Sequence, residues 1–171
     1  AKHHSALKWQ DVPAIKADLA NREAIAALCL RFIILTAVRS GEARLATWQE
    51  VDLESGTWVI PAERMKAEEE HRVPLSDQAI ALLNQVRGLD DQLIFPSPQT
   101  KPKRDGKPLR VNAFRPLFQR MEREGLTAHG FRSSFRDWCA ESAHADRELA
   151  EAALAHKVAG VEGAYFRSDL F

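Results

Sequence analysis

One phenol stands alone in this chain. Tyr165 is the single tyrosine among 171 residues, while Phe occurs eight times and Trp four. A side chain placed only to fill space could as well be Phe, so the hydroxyl raises the question of which polar residues gather round it. Arg39 (TAVRSGEA), Lys66 (RMKAEEEHRVPLS), His129 and Arg132 (AHGFRSSFRDW) and His156 (ALAHKVAGVEGAYF) precede it in that order. A deprotonated phenol is a nucleophile. A guanidinium grips two phosphate oxygens as a fork. An ammonium or imidazolium hands a proton to a leaving oxygen. Together these suit attack on a phosphodiester. Taken singly, each also has a plain structural reading: a helix-end arginine, a solvated hairpin lysine, a His/Arg pair on a polar helix face.

Local spacing narrows this. His129 and Arg132 are three apart and share a helix face, which Arg136 extends. Arg39 directly follows a long apolar run, where an unpaired charge is costly to bury; Glu42, three residues on, is the candidate to orient its guanidinium. His71 reads as structural. His156 and Tyr165 would fall on opposite faces of one continuous helix. Gly160 and Gly163 argue for a break, with a separate short helix carrying Tyr165.

The elements that must position these residues follow from periodicity. Asp11 is placed as an N-cap with Pro13 in the first turn of a helix. NREAIAALCLRFIILTAV is apolar almost all round and predicts a long buried helix capped by Asn21, with a break at Gly41 and a short helical turn after it. EVDLESGTWVIP predicts two strands about the turn ESGT. AERMKAEEEHRVPLS predicts a second hairpin, with a strand on each side and Lys66 at or near its tip. SDQAIALLNQVRG predicts a helix from Ser76 to Gly88. After the Pro- and Lys-rich loop LIFPSPQTKPKRDGKPLR come three more helical segments. The expectation is one mainly α domain with a small three-stranded antiparallel sheet, of α+β class.

Composition sets the bounds. Hydrophobic residues make up 45% and charged residues 28%, as in an ordinary soluble domain. No signal-peptide pattern opens the chain, and the most apolar stretch, AIAALCLRFIILTAV, is interrupted by Arg31 and too short to span a bilayer. Cys29 and Cys139 form no ligand-spaced pair and read as reduced buried thiols of a cytoplasmic protein. Formal net charge is zero, yet residues 101–136 carry a balance of +7. Phosphate binding needs a basic face, not a basic total. Lys101, Lys103, Arg104, Lys107 and Arg110 are the candidate DNA contacts. The six histidines include no HExxH, and only His3 and His4 lie close together, so neither metal nor cofactor is expected.

The ordered set resembles the catalytic domain of the tyrosine recombinases, specifically phage and genomic-island integrases. Their pattern is Arg at a helix end, Lys on a β-hairpin, His-x-x-Arg, His or Trp, then Tyr about nine residues later. Arg39, Lys66, His129, Arg132, His156 and Tyr165 match it, and the resemblance runs from about residue 20 to the end. It implies a 3′-phosphotyrosyl intermediate on double-stranded DNA: Arg39 and Arg132 clamp the phosphate, His129 and His156 assist, and Lys66 protonates the 5′-oxygen. It further implies a catalytic domain over 21–171, residues 1–20 being a linker or the edge of a core-binding domain. A homotetramer on DNA is implied for the full-length protein, and a monomer for this piece alone. The rivals are a type IB topoisomerase, with a similar residue set but without these flanks, and a DNA-binding module without catalysis, which leaves the ordered set unexplained. Six residues follow Tyr165, fewer than the usual family tail, which implies an isolated catalytic domain.

Overall fold

The computed structural model describes residues 7–98 and 106–156; Lys101, Lys103, Arg104 and Tyr165 lie outside the described residues. Within them the elements run α1 (Val12–Ala20), α2 (Ile25–Thr36), α3 (Ser40–Arg44), β1 (Val51–Asp52), β2 (Thr57–Ile60), β3 (His71–Pro74), α4 (Asp77–Val86), α5 (Phe114–Arg120), α6 (Gly130–Glu141) and α7 (Arg147–Ala153). The class is the expected one, mainly helical with one small antiparallel sheet.

Helix α2 is the central pillar. Leu28, Leu30, Phe32 and Ile33 are buried, and the helix packs against α1, α3, α4, α5 and α6. Phe32 joins it to the sheet: its ring centroid lies 5.2 Å from that of Trp58 and 5.5 Å from that of Phe95. Such aromatic pairs add about 0.5–1.5 kcal/mol each beyond the area they bury. Helix α1, within the stretch 1–20 read from sequence as a linker or domain edge, packs into the same core through Ile15 and Leu19. Cys29 and Cys139 are free and buried, and burial pushes the Cys29 thiol far above its usual range.

Several helix ends differ from expectation. Asp11 closes a 3-10 turn, and its carboxylate makes no capping bond to α1. Asn21 ends α1 instead of capping α2; the next residues turn the corner, where Arg22 Nε pairs with Asp18 at 2.9 Å. α2 starts only at Ile25. Its break comes at Ala37, left-handed at φ 55°, with its N–H on the Ile33 carbonyl at 2.8 Å. Gly41 lies inside α3 instead.

The sheet has the order β1-β2-β3, antiparallel throughout. Asp52 Oδ1 accepts from the N–H groups of Glu54 (2.9 Å) and Ser55 (3.1 Å), closing the first turn, and Gly56 takes φ 65°. Trp58 faces Val73 and Ile60 faces His71 across β2 and β3, which places His71 on the buried face. AERM is not a strand: Ala62–Arg64 is a 3-10 turn. Pro61, which has no N–H for the ladder, ends β2. β2 pairs directly with β3, and the connection 61–70 carries Lys66.

Ser76 Oγ caps α4 by accepting from the Ala79 N–H at 3.2 Å, and Gly88 leaves it at φ 88°. Beyond it, buried Asp90 forms a latch. Its Oδ1 accepts from the N–H groups of Gln92 (2.9 Å) and Leu93 (2.7 Å), and its Oδ2 from Gly106 N–H at 3.0 Å. This ties together the two ends of the basic loop. No described helix is long and apolar enough to cross a membrane.

Candidate active site

Arg39 is extended (φ −73°, ψ 150°), between the left-handed end of α2 and the first turn of α3. Glu42, 4% exposed, holds it twice: Oε2 accepts the Arg39 backbone N–H at 2.7 Å and Oε1 accepts Nη1 at 2.9 Å. The carboxylate thus closes the helix start in the manner of a capping box and fixes the guanidinium direction. The rest of the Arg39 side chain, 27% exposed, faces a cleft.

Lys66 is exposed, two residues beyond Arg64. Arg64 Nη1 straddles both Glu50 oxygens at 2.7 and 2.8 Å, and Nη2 donates to the Glu42 backbone carbonyl at 2.5 Å. Glu50 also receives Trp58 Nε1–H at 2.9 Å. The root of the lysine loop is therefore tied both to the sheet and to the residue that holds Arg39. Arg64 Nε is buried without a hydrogen-bond partner among the described residues.

His129 occupies the N-cap position of α6 and is exposed, whereas Arg132, one turn in, is 3% exposed. His129 itself has helical dihedrals (φ −65°, ψ −32°) and its carbonyl accepts the Arg132 N–H at 3.0 Å, so the three-residue spacing continues the turn, with the first side chain exposed and the second buried. Arg132 Nη1 donates to the Ala37 carbonyl at 2.5 Å and Nη2 to the Leu154 carbonyl at 2.7 Å, so it stitches the end of α2 to the end of α7. Burial first, and then the neighbouring Arg39 charge, push its pKa down to about 10, so it stays charged at neutral pH. Arg132 Nη2 also lies 3.2 Å from His156 Nε2. A guanidinium has no acceptor, so Nε2 carries the lone pair and Nδ1–H donates to Glu151 Oε2 at 2.6 Å. In this arrangement His156 has no Nε2 proton to offer a phosphate. Arg136 lines a different hollow, with Cys139 and Arg147.

Two open clefts meet here. One, of about 570 Å³, is lined by Arg39, Gly41, Lys66 and His129 among others; the second, of about 600 Å³, by Arg39, Lys66, Ala155 and His156. Arg39 and Lys66 line both, and Arg132 lies behind. Four segments far apart in sequence thus converge on a basic hollow with two imidazoles, suited to binding an oxyanion and moving protons. Lys107 and Arg110 line a separate hollow with Arg44, which donates to the Leu109 carbonyl. No group of three or more His, Cys, Asp or Glu among the described residues could hold a metal ion.

Three neighbours escape the sequence reading of the site. His71 has its pKa lowered chiefly by burial and further by Arg132 and Arg39; Glu42 and a backbone hydrogen bond with Ala153 oppose this. The alternation of His71 with buried Val73 in HRVPL is the signal that would have turned it inward. Arg64 and Glu151 carry no such periodic signal.

The profile of the phage integrase family matches residues 6–169. The chain is similar to prophage integrase IntZ of Escherichia coli (strain K12), 32% identical over 167 residues that cover 95% of this chain and 40% of that protein. It is also similar to the integrase of enterobacteria phage P4, 33% identical over 172 residues that cover 91% of this chain and 39% of that protein. The chain thus spans about 40% of the length of these curated relatives. Among solved structures, XerA recombinase matches with a TM-score of 0.69 at 12% identity, over 96% of this chain and 63% of that one. A lambda integrase dimer bound to a COC′ core site matches with a TM-score of 0.64 at 19% identity, over 99% of this chain and 62% of that one. At such identities the structural likeness speaks for the fold.

Proposed function

The chain belongs to the phage integrase family, and from that premise we propose that it is the catalytic domain of a site-specific DNA recombinase, serving integration and excision of a mobile element. The observation that carries the reading is the sharing of Arg39 and Lys66 between two adjoining clefts, with His129 on one side and His156 on the other. The proposed catalytic domain is 21–171, and α1, which precedes that boundary, packs into the same core.

In the proposed reaction the Tyr165 oxygen attacks the scissile phosphorus and its proton passes to His129. The bond from phosphorus to the 5′-oxygen breaks, and Lys66 protonates the leaving oxygen. Arg39, held by Glu42 and open to the cleft, grips the non-bridging oxygens; the buried Arg132 charge adds to the field that favours the growing negative charge of the transition state. His156, oriented by Glu151, fixes the guanidinium from the other side. The phosphotyrosyl bond conserves the phosphoester energy, so a free 5′-hydroxyl reverses the sequence and rejoins the strand without ATP. Double-stranded DNA is the proposed substrate, with Lys107 and Arg110, together with Lys101, Lys103 and Arg104, on its phosphates. The full-length protein would assemble as a tetramer on DNA in the bacterial cytoplasm, and this piece alone would be a monomer.

Tyr165→Phe tests the assignment. On a nicked suicide duplex the unaltered protein should accumulate as a covalent DNA adduct, and the variant should bind DNA but form none. Adduct at the unaltered level in the variant would remove Tyr165 as nucleophile.

A further inference from the structure

We propose that Arg64 is the positioning residue for Lys66, a brace that sets the lysine at a fixed place relative to Arg39; this rests on the reading of Lys66 as the acid for the leaving oxygen. The connection between β2 and β3 has two unlike halves. Up to Met65, which is 4% exposed, it is pinned to the core; from Lys66 onward it runs mostly exposed, with Glu68 in the left-handed region at φ 56°. Lys66 is the first residue past the pinned half. Its ammonium rides on a flexible stem, so its reach is set by where its backbone starts, and Arg64 sets that start.

The bonds of Arg64 show a brace and not a phosphate ligand. Nη1 is taken by both Glu50 oxygens and Nη2 by the Glu42 carbonyl, while Glu50 is itself held by Trp58 Nε1–H. Both prongs of the fork therefore point into protein. One prong reaches Glu50, in the 3-10 turn before β1, which Trp58 of β2 holds in turn. The other reaches the residue whose carboxylate holds Arg39. Lys66 and Arg39 are thus referenced to a single residue, Glu42, although they lie on different elements. A general acid must approach its leaving oxygen to hydrogen-bond distance while the phosphate is gripped by the arginine. A guanidinium spanning the two supports meets that need.

The test uses the intact protein and a nicked suicide duplex carrying the DNA site that it protects from nuclease digestion, in two forms: ordinary DNA, and DNA with a sulfur at the 5′-bridging position, which leaves without a proton. Lys66→Ala is the reference, slow on ordinary DNA and near normal on the sulfur form. Arg64→Gln should behave alike: about 10²-fold slower on ordinary DNA, as for a misplaced catalytic group, and close to the unaltered rate on sulfur DNA. Arg64→Lys, which keeps the charge and loses the fork, should fall between. Equal losses on both substrates in Arg64→Gln, with Lys66→Ala rescued, would overturn the brace and leave a role in folding or phosphate binding. If Lys66→Ala is not rescued, the acid reading itself fails, and the inference with it. Should Arg64→Gln fail to fold by circular dichroism, Glu50→Gln decides by the same comparison, since it weakens the anchor under the brace and retains an acceptor oxygen.

Discussion

Replacing Gly106 by Ala should unfasten the basic loop. A Cβ there would lie 2.3 Å from Asp90 Oδ2 and 3.1 Å from Asp90 Cγ, where 3.0 Å is the closest approach that Cβ atoms ordinarily make. The carboxylate must retreat, yet Asp90 is 7% exposed and its other oxygen is bound to two backbone N–H groups. Retreat breaks the 3.0 Å bond from Gly106 N–H. Losing a hydrogen bond to a charged acceptor costs about 1.5–3 kcal/mol, and displaced packing at Pro96 adds to it. The stiffer unfolded chain returns roughly 0.4–1 kcal/mol. A net loss of about 1–3 kcal/mol is expected, a fall in Tm of roughly 3–10 °C for a domain of this size. Urea unfolding of both single variants and of the double variant with Asp90→Ala measures it. With the oxygen gone, Gly106→Ala should cost little, so the two changes are coupled. If the full cost survives in the Asp90→Ala background, the latch is not its source. The same variant should bind DNA more weakly, with a shallower salt dependence. If about five basic residues meet phosphates, the unaltered slope of log affinity against log salt is roughly −4 to −5. An unchanged slope would detach the latch from DNA binding.

Two further outcomes follow from the site. Arg39→Lys keeps the charge but cannot make the two-pronged grip, and should lower the cleavage rate by roughly 10²–10³ in single-turnover trapping; near-normal cleavage would remove the clamp role. His71 is held below its ordinary 6.5, chiefly by burial. As pH falls through about 6.5, the unfolded chain takes up a proton that the native ring resists. Stability should therefore drop until the lower native pKa is reached and be flat beneath it, with this contribution fully present above about pH 7. His71→Phe should flatten that stretch in urea melts from about pH 5 to 8, and a curve identical to the unaltered protein's would show that the ring does not titrate there.

The elements legible in the sequence are those whose pattern is local. The apolar run of α2, the alternation TWVI and HRVP, Ser76 and Gly88 about α4, and the segments of α5, α6 and α7 all carry period or cap signals. Helix starts are less legible, because Asp11 and Asn21 have capping chemistry but are used in turns set by tertiary packing. Ala37 shows the limit most plainly: nothing in its type announces a left-handed residue, and the conformation accompanies a carbonyl bound by Arg132 from 95 positions away. In the site, Arg39, Glu42, Lys66 and His129 are readable as types in order. Their supports are not. Arg64, Glu50 and Glu151 act through contacts between elements, and a single sequence does not record which elements touch.

Glu42 supports its two neighbours by different parts of itself, the carboxylate for Arg39 and the main-chain carbonyl for Arg64. Mutation treats those parts unequally. A codon change at position 42 can erase the carboxylate in one step, whereas every amino acid supplies a carbonyl. The hold on Arg39 is therefore heritable only through the identity of that residue, and drift there is exposed at once to selection. The hold on the lysine loop passes through any substitution that leaves the backbone of α3 in place. At position 42 the arginine side of the site is therefore the more constrained of the two, and the lysine side the more tolerant.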